Sequence, residues 1–415
     1  MLLPLMGQAQ TLEECQRSAE RNYPLIRQYD LIGKTTQLTV SNISKGWLPQ
    51  VSVSVQGTLQ NDVVSWPDEM QSVYRQIGLD MKGLQKDQYK IGIDVSQTVY
   101  DGGVIRHQKN VAECKGDVEE AQTEVTMYQI RRRVNEMYFG LLLLDEQIAL
   151  NSDLQELLAN NERKFCQMYT HGTAAESDYL NVKAERLKVM QQFTNLQSQR
   201  RSLARMLGAF CGMKINKVEK PVRIYDGKQL LDIRRPELKV IDAQLRLANA
   251  QEKSLHATLM PRLGVFAQGF YGYPGYNMFK DMMRHELSLN GMIGARLLWN
   301  IGVLYTHKND KAKIQLQRDM METNRDVFLF NNKLEQIQLQ DNIERYNRLM
   351  TDDDEIISLR SSVRKAAESK LAHGIIDVND LIKEINAENN ALKQKRIHET
   401  EMLKEMYDLK YATNN

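Results

Sequence analysis

The sequence is poor in the residues that catalysis depends on. Its seven histidines are dispersed, and neither His-Glu-x-x-His nor Gly-x-Ser-x-Gly occurs. The glycine pieces "DGG" and "GMIG" lack the spacing of a phosphate-binding loop. No enzyme activity, cofactor or metal is therefore expected. Four cysteines, Cys15, Cys114, Cys166 and Cys211, stand far apart without metal-ligand spacing. In an exported chain they could pair, but their positions outline no framework. Charge of one sign is also missing: 55 Lys and Arg stand against 53 Asp and Glu, which argues against a nucleic-acid partner. No run of about eighteen apolar residues exists, so no transmembrane helix is expected. The stretch "FGLLLLDEQIAL" is too short and is broken by charge. Prolines number only eight, and most fall at boundaries between periodic segments.

Long uninterrupted segments rich in Gln, Lys, Glu, Leu, Asn and Met remain, a composition that suits long helices with wet faces. The start, "MLLPLMGQAQ", reads as the remnant of a secretory signal over residues 1–9. An apolar stretch is followed by small-x-small at Gly7 and Ala9, leaving Gln10 as the new terminus. "LEEC" at Leu12–Cys15 resembles a lipid-attachment box only superficially, because two glutamates precede the cysteine.

The chain also reads the same way twice. Asn22–Gly57 aligns without a gap on Arg234–Gly269, placing Pro24 on Pro236, Pro49 on Pro261 and Gln56-Gly57 on Gln268-Gly269. "SQTVYDGGV" from Ser96 matches "ARLLWNIGV" from Ala295, and "YTHGTAAESDYL" from Tyr169 matches "LAHGIIDVNDLI" from Leu371. Three landmarks in one order indicate an internal duplication. It divides the chain into a first repeat over residues 10–211, an irregular linker over 212–232 and a second repeat over 233–415.

Each repeat predicts the same succession. A helix is entered through a proline (about 24–45 and 236–258), and a second proline stops it. Period-two alternation then gives a strand hairpin over 48–100 and again over 260–300. One face carries Val51, Val53, Val55 and Leu59, then Ile91, Ile93, Val95 and Val99. In the second repeat it carries Leu263, Val265, Ala267 and Tyr271, then Leu287, Leu289, Ile293, Leu297 and Trp299. A long helix follows, over 104–168 and 303–371, each extending roughly 100 Å at 1.5 Å per residue. Gly172 and Gly374 end these helices, and shorter helices return. Four strands cannot close a barrel alone, and an open edge is untenable in lipid, so several chains are expected to share one barrel. Aromatic residues at the strand ends, Tyr100, Phe270, Tyr271 and Trp299, fit that reading.

On these residues the chain resembles the TolC-type outer-membrane efflux proteins. "GWLPQVSVSVQG", "MPRLGVFAQG", "QTVYDGGV", "RRPELKVIDAQLRLANAQ" and the twin tips around "HGTAAESDYL" and "HGIIDVNDL" carry the likeness over nearly the whole length. The resemblance implies an α+β membrane protein: a homotrimer whose shared 12-stranded β-barrel, four strands per chain, continues into a long α-helical periplasmic tunnel. It implies a passive exit duct in the outer membrane of a Gram-negative bacterium, in contact with outer-membrane lipid. A periplasmic adaptor (membrane fusion) protein and an inner-membrane RND or ABC transporter would be its partners. A non-channel coiled-coil scaffold of the envelope, with the strands as linkers, is the alternative.

Candidate sites follow. At the strand-to-helix hinges, Asp101 is expected to cap a helix N-terminus while Gly102 and Gly103 absorb the change of direction. Asn300 and Gly302 would serve likewise in the second repeat. The resemblance implies a periplasmic entrance closed by inward-pointing acidic residues, and its first acidic position falls on Asp380. Its next falls on Lys383, and its tyrosine and arginine latch positions fall on Leu371 and Ile376, so a doubled acidic ring and that latch are not expected. Gly172, Asp178 and Gly374 mark the tips where an adaptor would dock. The plain alternative makes Asp178 and Asp380 caps of the returning helices and the glycines turn formers. Arg131–Arg133 reads as a solvated or inter-helix salt-bridged run, and Thr351–Glu355 as a wet helix face or a tunnel-lining acidic patch.

Overall fold

The computed structural model describes residues 9–79, 81, 83–224 and 232–414. The signal segment up to residue 8 and linker residues 225–231 therefore lie outside the described residues. Two compact units result. One gathers the chain up to Leu31 with Glu119–Asp242 and the chain from Glu322 on; the other gathers Ile32–Val118 and Ala243–Met321.

The second unit holds a four-stranded antiparallel sheet in sequence order: β1 (Gln50–Leu59), β2 (Asp87–Tyr100), β3 (Arg262–Tyr273) and β4 (Ser288–Leu298). Pro49 and Pro261 directly precede β1 and β3, a position where a missing N–H costs no ladder bond. Register puts like with like: Val53 opposes Ile93, Val55 opposes Ile91, Tyr271 opposes Leu289, and Ala267 opposes Ile293. The opposite face aligns Ser52, Asp94, Gln268 and Met292. The alternation expected from sequence breaks once. A bulge after Thr98 brings Tyr100 rather than Val99 opposite Leu263.

This sheet is inverted for water. On the apolar face Val53 is 71%, Val55 75%, Leu289 83% and Ile293 84% exposed. On the other face of the central strands Lys90, Asp94, Phe266 and Phe270 are half-buried. There Lys90 Nζ lies 5.0 Å from the Phe270 ring centre and the Arg296 guanidinium 5.1 Å from that of Phe266. The outer edges of β1 and β4 pair with no other described strand.

The hairpin connections are more ordered than plain loops. The first contains α3 (Asp68–Gln76), after α1 (Leu12–Asn22) and α2 (Ile26–Ser44) earlier in the chain; the second contains α7 (Met278–Met283). Leu84, Tyr273 and Met282 form a small core with Val63 and Trp66 around them. Buried Asp281 accepts a bond from Gly275 N–H at 2.7 Å.

Four helices dominate the rest: α4 (Val104–Thr170) and α8 (Val303–Ala372), with 67 and 70 residues, and the returning α5 (Glu176–Cys211) and α9 (Val378–Thr413). The second repeat opens with α6 (Pro236–Ala257). The main core of the first unit buries Val134, Tyr138, Phe139 and Leu141 of α4 against Leu207, Met402, Met406 and Leu409. The apolar "FGLLLL" run is thus a packing surface, and no described helix is long and apolar enough to cross a membrane. Arg235 is held here among Tyr128, Phe328 and Tyr411, paired with Glu237.

Helix α1 was not foreseen. It opens with a reciprocal capping box: Glu14 N–H donates to Thr11 Oγ1 at 3.2 Å, and Thr11 N–H to Glu14 Oε2 at 3.1 Å. Thr-x-x-Glu ahead of "LEEC" is the signal that locates it. Cys15 lies fully buried inside this helix. Gln10 pairs with Val218 through Gln10 N–H to Lys217 O (3.1 Å) and Glu219 N–H to Gln10 O (3.0 Å).

Candidate functional site

At the first strand-to-helix hinge, Asp101 is 5% exposed and caps α4 with both carboxylate oxygens. Oδ1 accepts from Gly103 N–H at 2.8 Å and Oδ2 from Ile105 N–H at 2.6 Å. Gly102 and Gly103 take φ of 71° and 87°, the left-handed region costly to any side chain. Gly102 also presses on the end of α6, where an added Cβ would fall 2.5 Å from the Met260 Cβ.

The second hinge is looser than its sequence counterpart suggests. Val303 N–H reaches the Asn300 carbonyl at 3.4 Å, and the Asn300 side chain takes no cap bond. Neither Ile301 nor Gly302 is left-handed. Ile301 occupies the place of Gly102, and a β-branched residue resists that conformation, so this turn is built differently. The Trp299 indole instead donates to Leu259 O at 2.9 Å, tying the strand end to the segment after α6.

The helix tips are near copies. In both, the glycine N–H and the following N–H close back on the last turn. Gly172 bonds Tyr169 O (2.9 Å) and Thr173 bonds Met168 O (2.8 Å); Gly374 bonds Leu371 O (3.0 Å) and Ile375 bonds Lys370 O (2.9 Å). Their φ values are 69° and 71°, and nothing lies within 4 Å of an added Cβ at either.

The returning helices differ at their starts. Asp377 caps α9, its Oδ1 accepting from Asp380 N–H at 2.9 Å, while α5 starts at Ala175 without a side-chain cap. Asp178 and Asp380 sit two residues inside their helices, so neither is the cap. Asp380 is half-exposed and bonds Lys383 Nζ at 3.1 Å, so the lysine at the second acidic position offsets part of its charge. Leu371 and Ile376, at the latch positions, pack instead into a core with Leu158, Val189, Ala367, Leu381 and Ile385. A second tip core joins Phe165, Val182 and Val378.

An ion pair escaped the sequence reading. Arg186 of α5 bonds Glu162 of α4, and Arg364 of α8 bonds Glu388 of α9. Glu162 and Arg364 each stand ten residues before their tip glycine, and Arg186 and Glu388 each stand fourteen after. The duplication thus keeps the position of the pair and exchanges its signs. Alignment by residue type hides such a swap; alignment by position from the glycine reveals it. The Thr351–Glu355 run is likewise not uniformly wet. Asp353 is buried and bonds His398 Nδ1 at 2.7 Å, whereas Asp354 pairs with Lys395 at the surface. Arg131 pairs with Glu20 of α1, a bridge between helices.

Comparison with known proteins follows this geometry. The family model described as "Outer membrane efflux protein" matches residues 18–212. No curated protein matches the sequence. Among solved structures, the outer membrane protein VceC of Vibrio cholerae is similar at 13% identity and TM-score 0.67, covering 97% of this chain and 96% of that one. The CmeC outer membrane channel of Campylobacter jejuni gives 12%, 0.65, 99% and 90% in the same order. The MtrE outer membrane channel of Neisseria gonorrhoeae, in its open state, gives 12%, 0.66, 97% and 89%. At these identities the likeness establishes the fold, an α+β arrangement with four strands per chain and long paired helices. The chain is thus similar to the outer membrane efflux proteins by family model over its first repeat, and to solved outer-membrane channels in fold along nearly its whole length.

Proposed function

We propose that the chain is one third of a passive exit duct. Three copies share a 12-stranded barrel in the outer membrane of a Gram-negative bacterium, and their α4, α5, α8 and α9 helices form a periplasmic tunnel. The observation that carries this reading is the inverted sheet. Its apolar face stands open, its polar face is half-buried, and two edges lack partners. In water such a sheet would aggregate; in lipid, the apolar face is solvated and three sheets joined edge to edge leave no edge. The two repeats, over 10–211 and 233–415 around the linker, give each chain two hairpins and two helix tips. A coiled-coil scaffold leaves the sheet without a purpose.

The tips around Gly172, Asp178 and Gly374 would receive a periplasmic adaptor, and an inner-membrane transporter of the RND or ABC type would supply the energy. Three copies of Asp380 would ring the entrance and favour cations, with Lys383 weakening the effect. The test is conductance of the purified protein in a planar bilayer. Cation-selective channels whose selectivity falls in Asp380→Ala are expected. Absence of any conductance from correctly assembled protein would defeat the duct, and unchanged selectivity in the variant would remove Asp380 from the pore.

A further inference from the structure

The two cysteines most distant in the first repeat meet in the fold. Cys15 lies in the first turn of α1 and Cys211 is the last residue of α5; they are 0% and 5% exposed. Cys211 Sγ donates to the Cys15 carbonyl oxygen at 3.4 Å, and both side chains lie in the same buried core. Two contacts independent of sulfur fix this approach. Asn22 at the end of α1 donates to the carbonyls of Ala209 and Phe210, each at 3.1 Å, and the Tyr23 ring stacks on Phe210 with centres 5.9 Å apart. The last turn of α5 is therefore held against the end of α1, right beside Cys211. Cys114 and Cys166 cannot pair with each other, because they lie on α4 at positions many turns apart.

We propose that Cys15 and Cys211 form a structural disulfide that staples the first helix, α1, to the end of α5. The inference rests on the proposed export, since only an oxidising compartment sustains such a bond. The oxidant is a disulfide-bearing protein thiol oxidase, acting before the core closes over the pair. In the still-open chain either thiol can attack first, and the exchange runs the same way from both. When Cys211 leads, its thiolate attacks one sulfur of the oxidant and expels the other as thiolate. Cys15, deprotonated, then attacks the Cys211 sulfur of the mixed disulfide and releases the oxidant as a dithiol. The pair gives up two electrons and two protons, and the oxidant's disulfide takes them.

The test counts thiols in the full chain. Outer-membrane protein is quenched in acid, denatured and alkylated with a mass-tagged maleimide, with and without prior reduction. Two tags before reduction and four after are expected, with three before reduction in Cys15→Ser, and a non-reduced peptide map should join the Cys15 and Cys211 peptides. Four tags before reduction, or a different joined pair, would overturn the staple while leaving the duct untouched. Should the protein be missing from the outer-membrane fraction, the duct reading fails instead. The pair is then judged by oxidised glutathione on the purified chain, where two tags uphold the pairing and four refute it.

Discussion

Three glycines in the left-handed region separate conformation from contact. At Gly172 and Gly374 an added methyl meets open space, so alanine there costs only the left-handed penalty of about 1–2 kcal/mol. At Gly102 the same change also drives a Cβ into Met260, and its destabilisation should clearly exceed that of Gly172→Ala in thermal melts. Asp408 of α9 makes a second prediction. Burial pushes its carboxyl up to about 6 from 3.8, with Lys404 and Arg132 opposing the rise and Glu405 and Glu136 adding to it. The folded state then holds a proton that the unfolded state has lost, so stability falls as pH rises from about 4 to 6 and stays lower above. Asp408→Asn should flatten that slope and add up to ~3 kcal/mol above pH 6, read as melting midpoint against pH. Gly102, Gly103 and the tip glycines were legible because their conformation needs glycine whatever surrounds them, whereas Gly302 adopts no such conformation. Asp408 was not legible because its state depends chiefly on burial, with Arg132 and Glu136 from far along the chain acting beside Lys404 and Glu405 of its own helix.

At the scale of elements, the strands and long helices were legible because period-two and helical spacing run for many turns. Prolines and glycines punctuate them where the backbone requires it. Less visible were features set by tertiary partners. The bulge at Val99 shifts one pairing only, Asp353 becomes buried through His398, and the hairpin helices α3 and α7 meet through Trp66, which touches both Tyr74 and Phe279. The sign-exchanged pairs between long and returning helices were hidden because each repeat satisfies the same position with opposite residues. Their side chains are partly buried, so breaking one leaves a charge poorly solvated. Arg364→Glu should cost about 1–3 kcal/mol by setting three carboxylates together at Glu368 and Glu388. Adding Glu388→Arg recreates the arrangement of Arg186 and Glu162 and should recover most of the loss. A double-mutant cycle on thermal stability reads the coupling, and no recovery in the double variant would deny the pair.

The molecule as a whole is organised around surfaces that one copy cannot satisfy. The four strands place valine, isoleucine and leucine outward, while lysine, aspartate and phenylalanine share the sheltered side. The outer strands β1 and β4 end the sheet with open edges. This organisation was readable from alternation alone, since four strands are too few to close. Oligomer size was not readable in that way, because edge geometry says that strands must be added and not how many; the number three came from the family resemblance. The shared barrel is accordingly the central claim. Its most direct test is the molar mass of the envelope-extracted protein, measured by light scattering with the detergent contribution subtracted. The account predicts a mass of three chains. A monomer or dimer that stays dissolved without detergent would contradict it.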